Sequence, residues 1–284
     1  MTYRPLRSAL YLPAANARAL DKSRSLPVDA LIFDLEDAVA PDEKPAARAL
    51  LVGELQKGGY DPRLRMVRIN ALDTPWGHDD AAAVDPAATD AILLPKVNGP
   101  ADLDALAALT ALPIWAMMET PRGILNAAAI AAHPRLGGMV MGTNDLANDI
   151  GSRTTPHREP LMMALQTCVM AARTFGLPIL DGVFNAFKDT AGLTDESEQG
   201  RDMGFDGKTL IHPAQIATAN AAFAPTDADI ALARRRIAAF EEATRMGKGI
   251  AVVDGRIVEG LHIVTAKATL ARAAAIAETE SSCS

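Results

Sequence analysis

The chain has 284 residues, of which 49% are hydrophobic, so it is long enough to bury a large core in one or two domains. Its formal net charge is −7 and it has no lysine- and arginine-rich run, so the composition gives no support to nucleic-acid binding. Two cysteines exclude a disulfide framework, which makes a reducing cytoplasm the default compartment. No signal peptide is recognisable, and no apolar run reaches the about 20 residues that a membrane span needs.

Short apolar segments alternate with helical patterns along residues 1–224. Eight of them have the nearly continuous apolar composition of parallel strands covered on both faces. They are Arg7–Pro13, Ala30–Asp37, Arg65–Asn70, Ala91–Val97, Pro113–Thr120, Gly138–Gly142, Pro178–Phe184 and Gly207–His212. Helix-like segments between them include Asp42–Gln56, Ala101–Ala108, Pro121–His133 and Pro160–Phe175. This alternation predicts the α/β class and a (β/α)8 TIM barrel, although an open doubly wound sheet alternates in the same way.

Two details favour the barrel over the open sheet. No Gly-x-Gly-x-x-Gly turn follows the first strand, so the dinucleotide-binding fingerprint is absent from the sequence. Polar residues also occur at the C-terminal ends of several strands, and in a barrel these ends share one face.

Residues 225–284 predict a C-terminal extension rather than a second full domain. The pattern indicates a helix over Pro225–Gly247, a hairpin over Gly249–Gly260 and a helix over His262–Glu278. The segment is too short for an independent core, so a lid or a subunit-bridging arm is its expected use. Cys283 lies in the polar tail of this extension.

Three acids end the second predicted strand. Strand alternation predicts that Asp34 and Glu36 point to one side and Asp37 to the other. Buried acids need partners, and helix capping or salt bridges to Lys44 or Arg48 would supply them. The alternative is a shell of acids around a metal ion and its waters, in which Asp37 is a candidate catalytic group.

Two cationic residues follow in the next strands. Arg68 lies in an apolar strand, where a guanidinium needs an anion. That anion could be Asp34 or Glu36, but we favour a substrate carboxylate, which guanidinium binds in bidentate fashion. Lys96 could form a Schiff base, but the surrounding acids favour a role as a counter-ion.

Glu119 and Asp145 follow the fifth and sixth predicted strands. Neighbouring strand ends lie side by side in a barrel, so the two carboxylates are expected to converge and hold one divalent cation. The alternative is that each caps the helix that follows. Thr143 and Asn144 lie beside Asp145 and are candidate substrate contacts.

The eighth predicted strand begins with Gly207 and Lys208 and ends at His212. Phosphate binding near strands seven and eight is common in such barrels. A packed structural role is the preferred interpretation of His212. The five histidines of the chain have no metal-ligand spacing, so the sequence does not predict a zinc site.

Taken in order, these segments resemble the citrate lyase β-subunit-like proteins of the HpcH/HpaI aldolase and citrate lyase family, with the malyl-CoA and citramalyl-CoA lyases. The matching segments cover about residues 7–278 and read RSALYLP, FDLEDAVAPDEKPAAR, VRIN, LPKV, METPRG, GTNDLANDIG and GKTLIHPAQI.

The resemblance implies a (β/α)8 barrel that assembles as a homotrimer or a dimer of trimers. It implies Mg²⁺, or Mn²⁺, held by Glu119 and Asp145, and Arg68 in contact with the carboxylate and carbonyl end of the substrate. It also implies that the C-terminal extension reaches over the active site of a neighbouring subunit.

The resemblance further places coenzyme A contacts at Tyr11, Asn16 and Lys22. Many family members have arginine where this chain has Asn16, so one charged contact to the coenzyme is missing. The malyl-CoA lyases carry a catalytic aspartate in the C-terminal hairpin, where this chain has Glu259. Glu259 is therefore a candidate acid or base.

These features predict a Mg²⁺-dependent carbon–carbon lyase that interconverts a 3-hydroxyacyl-CoA with an acyl-CoA and a 2-oxo acid such as glyoxylate. The alternatives are a thioesterase for malyl-CoA-type esters, a citrate lyase β subunit that acts on an acyl-carrier partner, and a non-catalytic homologue. No nucleic-acid or membrane partner is expected.

Overall fold

The computed structural model describes residues 4–282. Eight parallel strands of the chain form a closed barrel. Each strand pairs with the next along the chain, and the eighth pairs with the first. The strands are β1 (Ser8–Pro13), β2 (Ala30–Asp34), β3 (Leu64–Arg68), β4 (Ala91–Leu94), β5 (Ile114–Met118), β6 (Leu136–Met141), β7 (Ile179–Asp181) and β8 (Gly207–Leu210). The predicted (β/α)8 TIM barrel is confirmed.

Helices connect the parallel strands, because a parallel pair cannot be joined by a tight turn. They are α1 (Ala17–Ser23), α2 (Lys44–Lys57), α3 (Gly77–Ala83), α4 (Pro100–Ala107), α5 (Pro121–Leu125), α6 (Ala127–Ala131), α7 (Thr143–Asp149), α8 (Met162–Thr174), α9 (Thr190–Met203) and α10 (Ile216–Phe223). The single helix predicted over Pro121–His133 is wrong, because the backbone of Asn126 leaves the helical region between α5 and α6.

The barrel has an inner and an outer apolar layer, which explains the nearly continuous apolar strands. In β2, Ala30 and Ile32 pack inside the barrel, whereas Leu31 and Phe33 pack against the helices. Both faces are therefore buried, as parallel strands require. The inner layer includes the ring of Trp115, which lies so close to Gly138 that a Cβ there would be 2.7 Å from ring atoms.

Most strands end before their predicted C-terminal limits, and β2 shows why. The carboxylate of Asp34 accepts hydrogen bonds from the backbone N–H groups of Glu36 at 2.9 Å and Ala38 at 3.1 Å. Such side-chain bonds to the following backbone turn the chain away from the sheet. A 3-10 turn over Pro41–Glu43 follows, so α2 begins at Lys44.

The chain divides into two compact units, the barrel unit Leu6–Phe223 and a second unit from Ala224 onward that also includes Arg4 and Pro5. The second unit contains α11 (Asp227–Arg245), a hairpin of β9 (Ala251–Val253) and β10 (Arg256–Val258), and α12 (Gly260–Ser282). The predicted helix–hairpin–helix extension is thus confirmed, and its role as lid or arm stays a prediction. Cys283 lies outside the described residues.

The hairpin turns at Asp254 and Gly255, whose φ angles are 50° and 75°. Two consecutive left-handed residues match the right-handed twist of a hairpin, which explains the Asp-Gly sequence. Ala243, Val258 and Ile263 form part of a small apolar cluster within this unit. Among residues 4–282, no helix has both the length and the apolar character needed to cross a membrane.

Candidate active site

Arg68 ends β3 beside Asp34, which ends β2. Its Nε and Nη2 atoms donate to the two carboxylate oxygens of Asp34 at 2.7 and 2.6 Å. Its Nη1 atom lies 2.9 Å from Glu36 and 3.4 Å from Asp37. The prediction that Asp37 points away from Asp34 and Glu36 is wrong, because the strand ends at Asp34 and alternation stops there.

The guanidinium of Arg68 is therefore held by carboxylates of the chain itself. This matches the alternative in which Asp34 and Glu36 are its partners, and its contact with substrate stays a prediction. Arg68 also lies over the ring of Tyr11, 4.9 Å from the centroid. Burial lowers the pKa of Arg68, but the charge of Asp34 outweighs that effect and raises it well above its ordinary value. Arg68 is a permanent, rigidly held cation.

Glu36 differs from the other acids around Arg68. Burial raises its pKa to about 8, and the attraction of Arg68 offsets only part of that rise. A carboxyl group with this pKa is mostly protonated at neutral pH. Glu36 can therefore donate a proton, whereas Asp34 only accepts hydrogen bonds.

Two residues, Lys44 and Asn70, hold the backbone of the loop that follows β2 and carries Glu36 and Asp37. Lys44 Nζ donates to the carbonyl oxygens of Leu35 at 3.0 Å and Glu36 at 2.9 Å, and Asn70 Nδ2 donates to Leu35 at 2.9 Å. Lys44 therefore holds backbone rather than the acid side chains. The other predicted partner, Arg48, binds Asp80 instead.

Glu119, Lys96 and Asp145 form the second half of the site. Glu119 Oε1 accepts from the backbone N–H of Lys96 at 2.7 Å, and Lys96 Nζ lies 3.8 Å from that same oxygen. Lys96 Nζ also bonds directly to Asp145. Burial raises the pKa of Glu119, and the nearby charge of Lys96 opposes the rise without cancelling it. The geometry supports the counter-ion interpretation of Lys96.

Neither acid caps the helix that follows it. Thr120 caps α5 by accepting from Gly123, and Gly142 occupies the cap position of α7 without a side-chain bond. Gly142 also makes room for Glu119, since a Cβ at Gly142 would lie 2.5 Å from Glu119 Oε2. That buried oxygen has no hydrogen-bond partner among residues 4–282.

The residues present fit a divalent cation. Carboxylates outnumber cationic side chains at these strand ends, where Asp34, Glu36, Asp37, Glu119 and Asp145 meet Arg68 and Lys96. A buried carboxylate oxygen without a partner carries a free-energy penalty that a cation would remove. No group of three or more His, Cys, Asp or Glu side chains in the described part of the chain is arranged as a full ligand set. Glu119 and Asp145 would therefore need water or substrate oxygens beside them, as Mg²⁺ sites commonly have.

A cavity of about 310 Å³ opens beside these groups, and we call it the acidic pocket. Asp34, Asp37, Arg68 and Asp145 line it, whereas Glu36, Lys96 and Glu119 are not among its lining residues. Its wall includes the predicted residues Tyr11, Asp37, Arg68, Thr143, Asn144 and Asp145. The structure thus brings together residues from β1, β2, β3 and α7, as expected for the C-terminal ends of barrel strands.

Three predicted site residues lie elsewhere. Asn16 is exposed and caps α1, accepting from the backbone N–H of Ala19 at 3.0 Å. Lys22 is exposed in the last turn of α1. Glu259 is exposed in the C-terminal unit, between β10 and α12.

The strand-eight residues do not form the phosphate site that the sequence suggested. Lys208 is fully buried and pairs with Asp181 at 3.1 Å and Glu196 at 2.6 Å, so its charge is already used. His212 is exposed rather than packed inside, stacks on Phe187 and accepts from a backbone N–H to cap the turn that follows.

Sequence reasoning missed a set of buried charges that we call the buried network, formed by Arg158, Asp181, Glu196 and Lys208. Arg158 Nη1 donates to both oxygens of Asp181 at 2.7 and 2.9 Å. Burial acts to raise the pKa of Asp181, but Lys208 and Arg158 outweigh it and lower the pKa. The only sequence signal was a charged residue inside each of β7 and β8, because Arg158 comes from a loop with no periodic pattern.

A closed (β/α)8 barrel whose charged residues converge at the carboxyl ends of its strands has the architecture of a barrel enzyme. The chain belongs to the HpcH/HpaI aldolase/citrate lyase family, which matches residues 7–213. The family resemblance stated from the sequence motifs is therefore confirmed.

The chain is similar along its length to proteins of known activity. It is 62% identical over 274 residues to a (3S)-malyl-CoA thioesterase of Cereibacter sphaeroides, covering 96% of both chains. It is 36% identical over 283 residues to the citrate lyase subunit beta of Escherichia coli K12, covering 95% of this chain and 94% of the relative. Among solved structures, the protein CitE of Mycobacterium tuberculosis in complex with magnesium, acetoacetate and coenzyme A has a TM-score of 0.81 at 31% identity. That match covers 96% of this chain and 100% of CitE.

Proposed function

We propose that the protein is a Mg²⁺-dependent enzyme that hydrolyses the thioester of malyl-CoA or a closely similar 3-hydroxyacyl-CoA. The observation that carries this proposal is the group of charged residues at the strand ends beside the acidic pocket. There a buried oxygen of Glu119, unpartnered among residues 4–282, lies at a strand end beside Asp145 and its counter-ion Lys96. The sequence alone favoured the lyase reaction. We now rank hydrolysis first, because the 62% identity to a malyl-CoA thioesterase exceeds the 36% shared with a citrate lyase β subunit.

Glu119 and Asp145 would hold the Mg²⁺ ion, and Mn²⁺ has the same preference for oxygen ligands. When bound, the cation supplies positive charge to the carboxylate and hydroxyl oxygens of the hydroxy acid. Lys96 keeps the two ligands together, since its ammonium bonds to Asp145 and lies 3.8 Å from Glu119.

Arg68 and Asp37 act on the thioester. Asp34 fixes the guanidinium of Arg68, which then stabilises the negative charge that develops on the carbonyl oxygen. The side chain of Asp37 is 62% exposed, so water reaches it, and it lies 3.4 Å from Arg68. Asp37 takes a proton from water as the water oxygen bonds to the thioester carbon. The C–S bond then breaks, and Asp37 gives this proton to the sulfur, which leaves as the thiol of coenzyme A.

Tyr11, Asn16 and Lys22 would bind the coenzyme A part of the substrate. Of these three residues, Tyr11 is the best placed to contact the part of coenzyme A next to the thioester, because it alone lines the acidic pocket. We further propose a homotrimer or a dimer of trimers, in which the C-terminal extension of one subunit reaches the site of another and carries Glu259 there.

Carbon–carbon cleavage to an acyl-CoA and a 2-oxo acid is the second candidate. The family name and the acetoacetate complex of CitE favour it. In that reaction a base takes the hydroxyl proton, and the resulting thioester enolate is protonated. Glu259 is our candidate for one of these transfers.

Incubation of the purified protein with Mg²⁺ and (3S)-malyl-CoA separates the candidates. Free thiol without glyoxylate is the result we expect, whereas glyoxylate with acetyl-CoA would establish the lyase reaction. If neither free thiol nor glyoxylate forms, with or without Mg²⁺, both the hydrolysis and the lyase proposals are overturned. The carrier-dependent and non-catalytic alternatives then remain. Asp145→Asn should abolish turnover, while Asp149→Asn, an exposed acid on the same helix, should not.

A further inference from the structure

A second cavity of about 580 Å³ adjoins the acidic pocket on its α7 side. We call it the side chamber. It is walled by α7, by the loop of residues 152–161, by the residues after β7 and by Glu196 of α9. The acidic pocket alone is within the size range of small-ligand sites and can take the malyl part of the substrate, so the proposed hydrolysis gives the side chamber no role.

The loop that walls the side chamber is held open by the buried network. Arg158 has a left-handed backbone with φ 54°, and its side chain donates to Asp181 and, at 2.9 Å, to Gln199. Gln199 in turn donates to the carbonyl oxygen of His157 at 2.8 Å. A loop tied to the barrel at His157 and at Arg158 is a fixed wall, so the chamber is part of the native structure.

Two asparagines stand between the cavities. Asn185 Nδ2 donates to Asn144 Oδ1 at 2.8 Å, and Asn144 Nδ2 donates back to Asn185 Oδ1 at 3.3 Å. Both residues line the acidic pocket and the side chamber alike. Both are exposed, and hydrogen bonds between exposed amides contribute little net stability, so the pair can part readily.

We propose that the Asn144–Asn185 pair limits the size of the substituent on the hydroxyl-bearing carbon of the substrate, and that the side chamber receives this substituent when the pair parts. The inference rests on the proposed function. Asn144, Asn185 and the proposed metal ligand Asp145 line the same acidic pocket, so a hydroxyl group held at Asp145 places its carbon near the pair. Ala147, Leu161 and Phe184 give the chamber an apolar share of its lining, which suits an alkyl group.

The test compares malyl-CoA with analogues in which methyl, ethyl or propyl replaces hydrogen on the hydroxyl-bearing carbon. For the wild type, kcat/KM should fall by about tenfold or more per added carbon beyond methyl. Asn185→Ala should reduce the penalty for propyl by about tenfold, because it removes one half of the pair. Asn148→Ala is the matched control, since Asn148 lines the chamber but not the acidic pocket, and it should retain the wild-type ratio.

Filling the chamber gives the reverse test. Ala186→Phe, placed in the Asn185→Ala background, should restore discrimination against propyl, because Ala186 is exposed and lines only the chamber. Calorimetric titrations with malate and 2-propylmalate in the presence of Mg²⁺ test the same point without turnover. The preference for malate over 2-propylmalate should be strong in the wild type, weaker in Asn185→Ala and strong again in the double variant. Turnover of malyl-CoA with an unchanged propyl penalty in Asn185→Ala would overturn this inference and leave the proposed function standing. No turnover and no Mg²⁺-dependent malate binding by any variant would overturn both.

Discussion

The acidic pocket with the charged residues around it and the buried network are two groups of charges in one barrel, and they differ in the balance of acids and cations. In the buried network, Arg158 and Lys208 meet Asp181 and Glu196, and the cations match the acids. Around the acidic pocket five acidic side chains meet two cations, and an oxygen of Glu119 has no partner within residues 4–282. Charge that is balanced within the protein stabilises a structure, whereas a surplus of acids beside a cavity calls for a cationic ligand.

The difference also separates stability from activity. Removing a charge from the balanced group should harm folding, while removing a surplus acid such as Glu119 from the unbalanced group should harm binding and leave folding intact or improved. Single substitutions in the two groups test this contrast, and the largest effect is expected at Lys208.

Lys208→Met should lower the free energy of unfolding by about 3–5 kcal/mol, because it removes one of the two cations that hold the buried Asp181 and its neighbour Glu196. The folded fraction should keep kcat/KM for malyl-CoA close to the wild-type value. Denaturant titration and steady-state kinetics measure the two quantities. Lys188→Met, at an exposed lysine, is the control and should change stability by less than about 0.5 kcal/mol. A stable Lys208→Met protein without activity would show that the two groups are not separate.

Glu36 should make the metal-free protein less stable as pH rises. Its pKa is about 8 in the folded state against an ordinary 4.5, so between these values the folded state holds more protons than the unfolded state. The free energy of unfolding must therefore decrease with pH across that window. Denaturant titrations in EDTA from pH 5 to 8 should show less decrease for Glu36→Gln than for the wild type. Parallel curves for the two proteins would exclude Glu36 as the cause of the pH dependence.

Asn16→Ala should have the smallest effect and lies outside both groups of charges. Loss of the α1 cap should lower the free energy of unfolding by about 1 kcal/mol. If Asn16 also binds coenzyme A, KM for malyl-CoA should rise as well. Asn16→Ser, which preserves a capping oxygen, separates the two roles: stability should return, and an unchanged KM in both variants would exclude the coenzyme contact.

The sequence predicted the parts of the fold that depend on local pattern. Alternating strand and helix segments predicted the barrel, and Asp-Gly predicted the hairpin. Predicted strands such as Ala30–Asp37 were too long because their pattern included polar residues such as Glu36. In the structure, Asp34 ends β2 by accepting hydrogen bonds from the backbone of Glu36 and Ala38. The partners of Arg68 and Lys208 depend on strand register and on loops, and no single-sequence pattern contains that information.

The central claim is that the unbalanced carboxylates of the acidic pocket hold one divalent cation. Calorimetric titration of the metal-free protein with Mg²⁺ tests it without reference to any reaction. We expect one site per chain in the wild type, at least about a hundredfold weaker binding in Glu119→Gln, and wild-type binding in Asp149→Asn. The Glu119→Gln protein should unfold no more readily than the wild type, because the cost of burying the carboxylate is removed together with its attraction to Lys96. Mg²⁺ affinity in Glu119→Gln equal to that of the wild type would contradict the account.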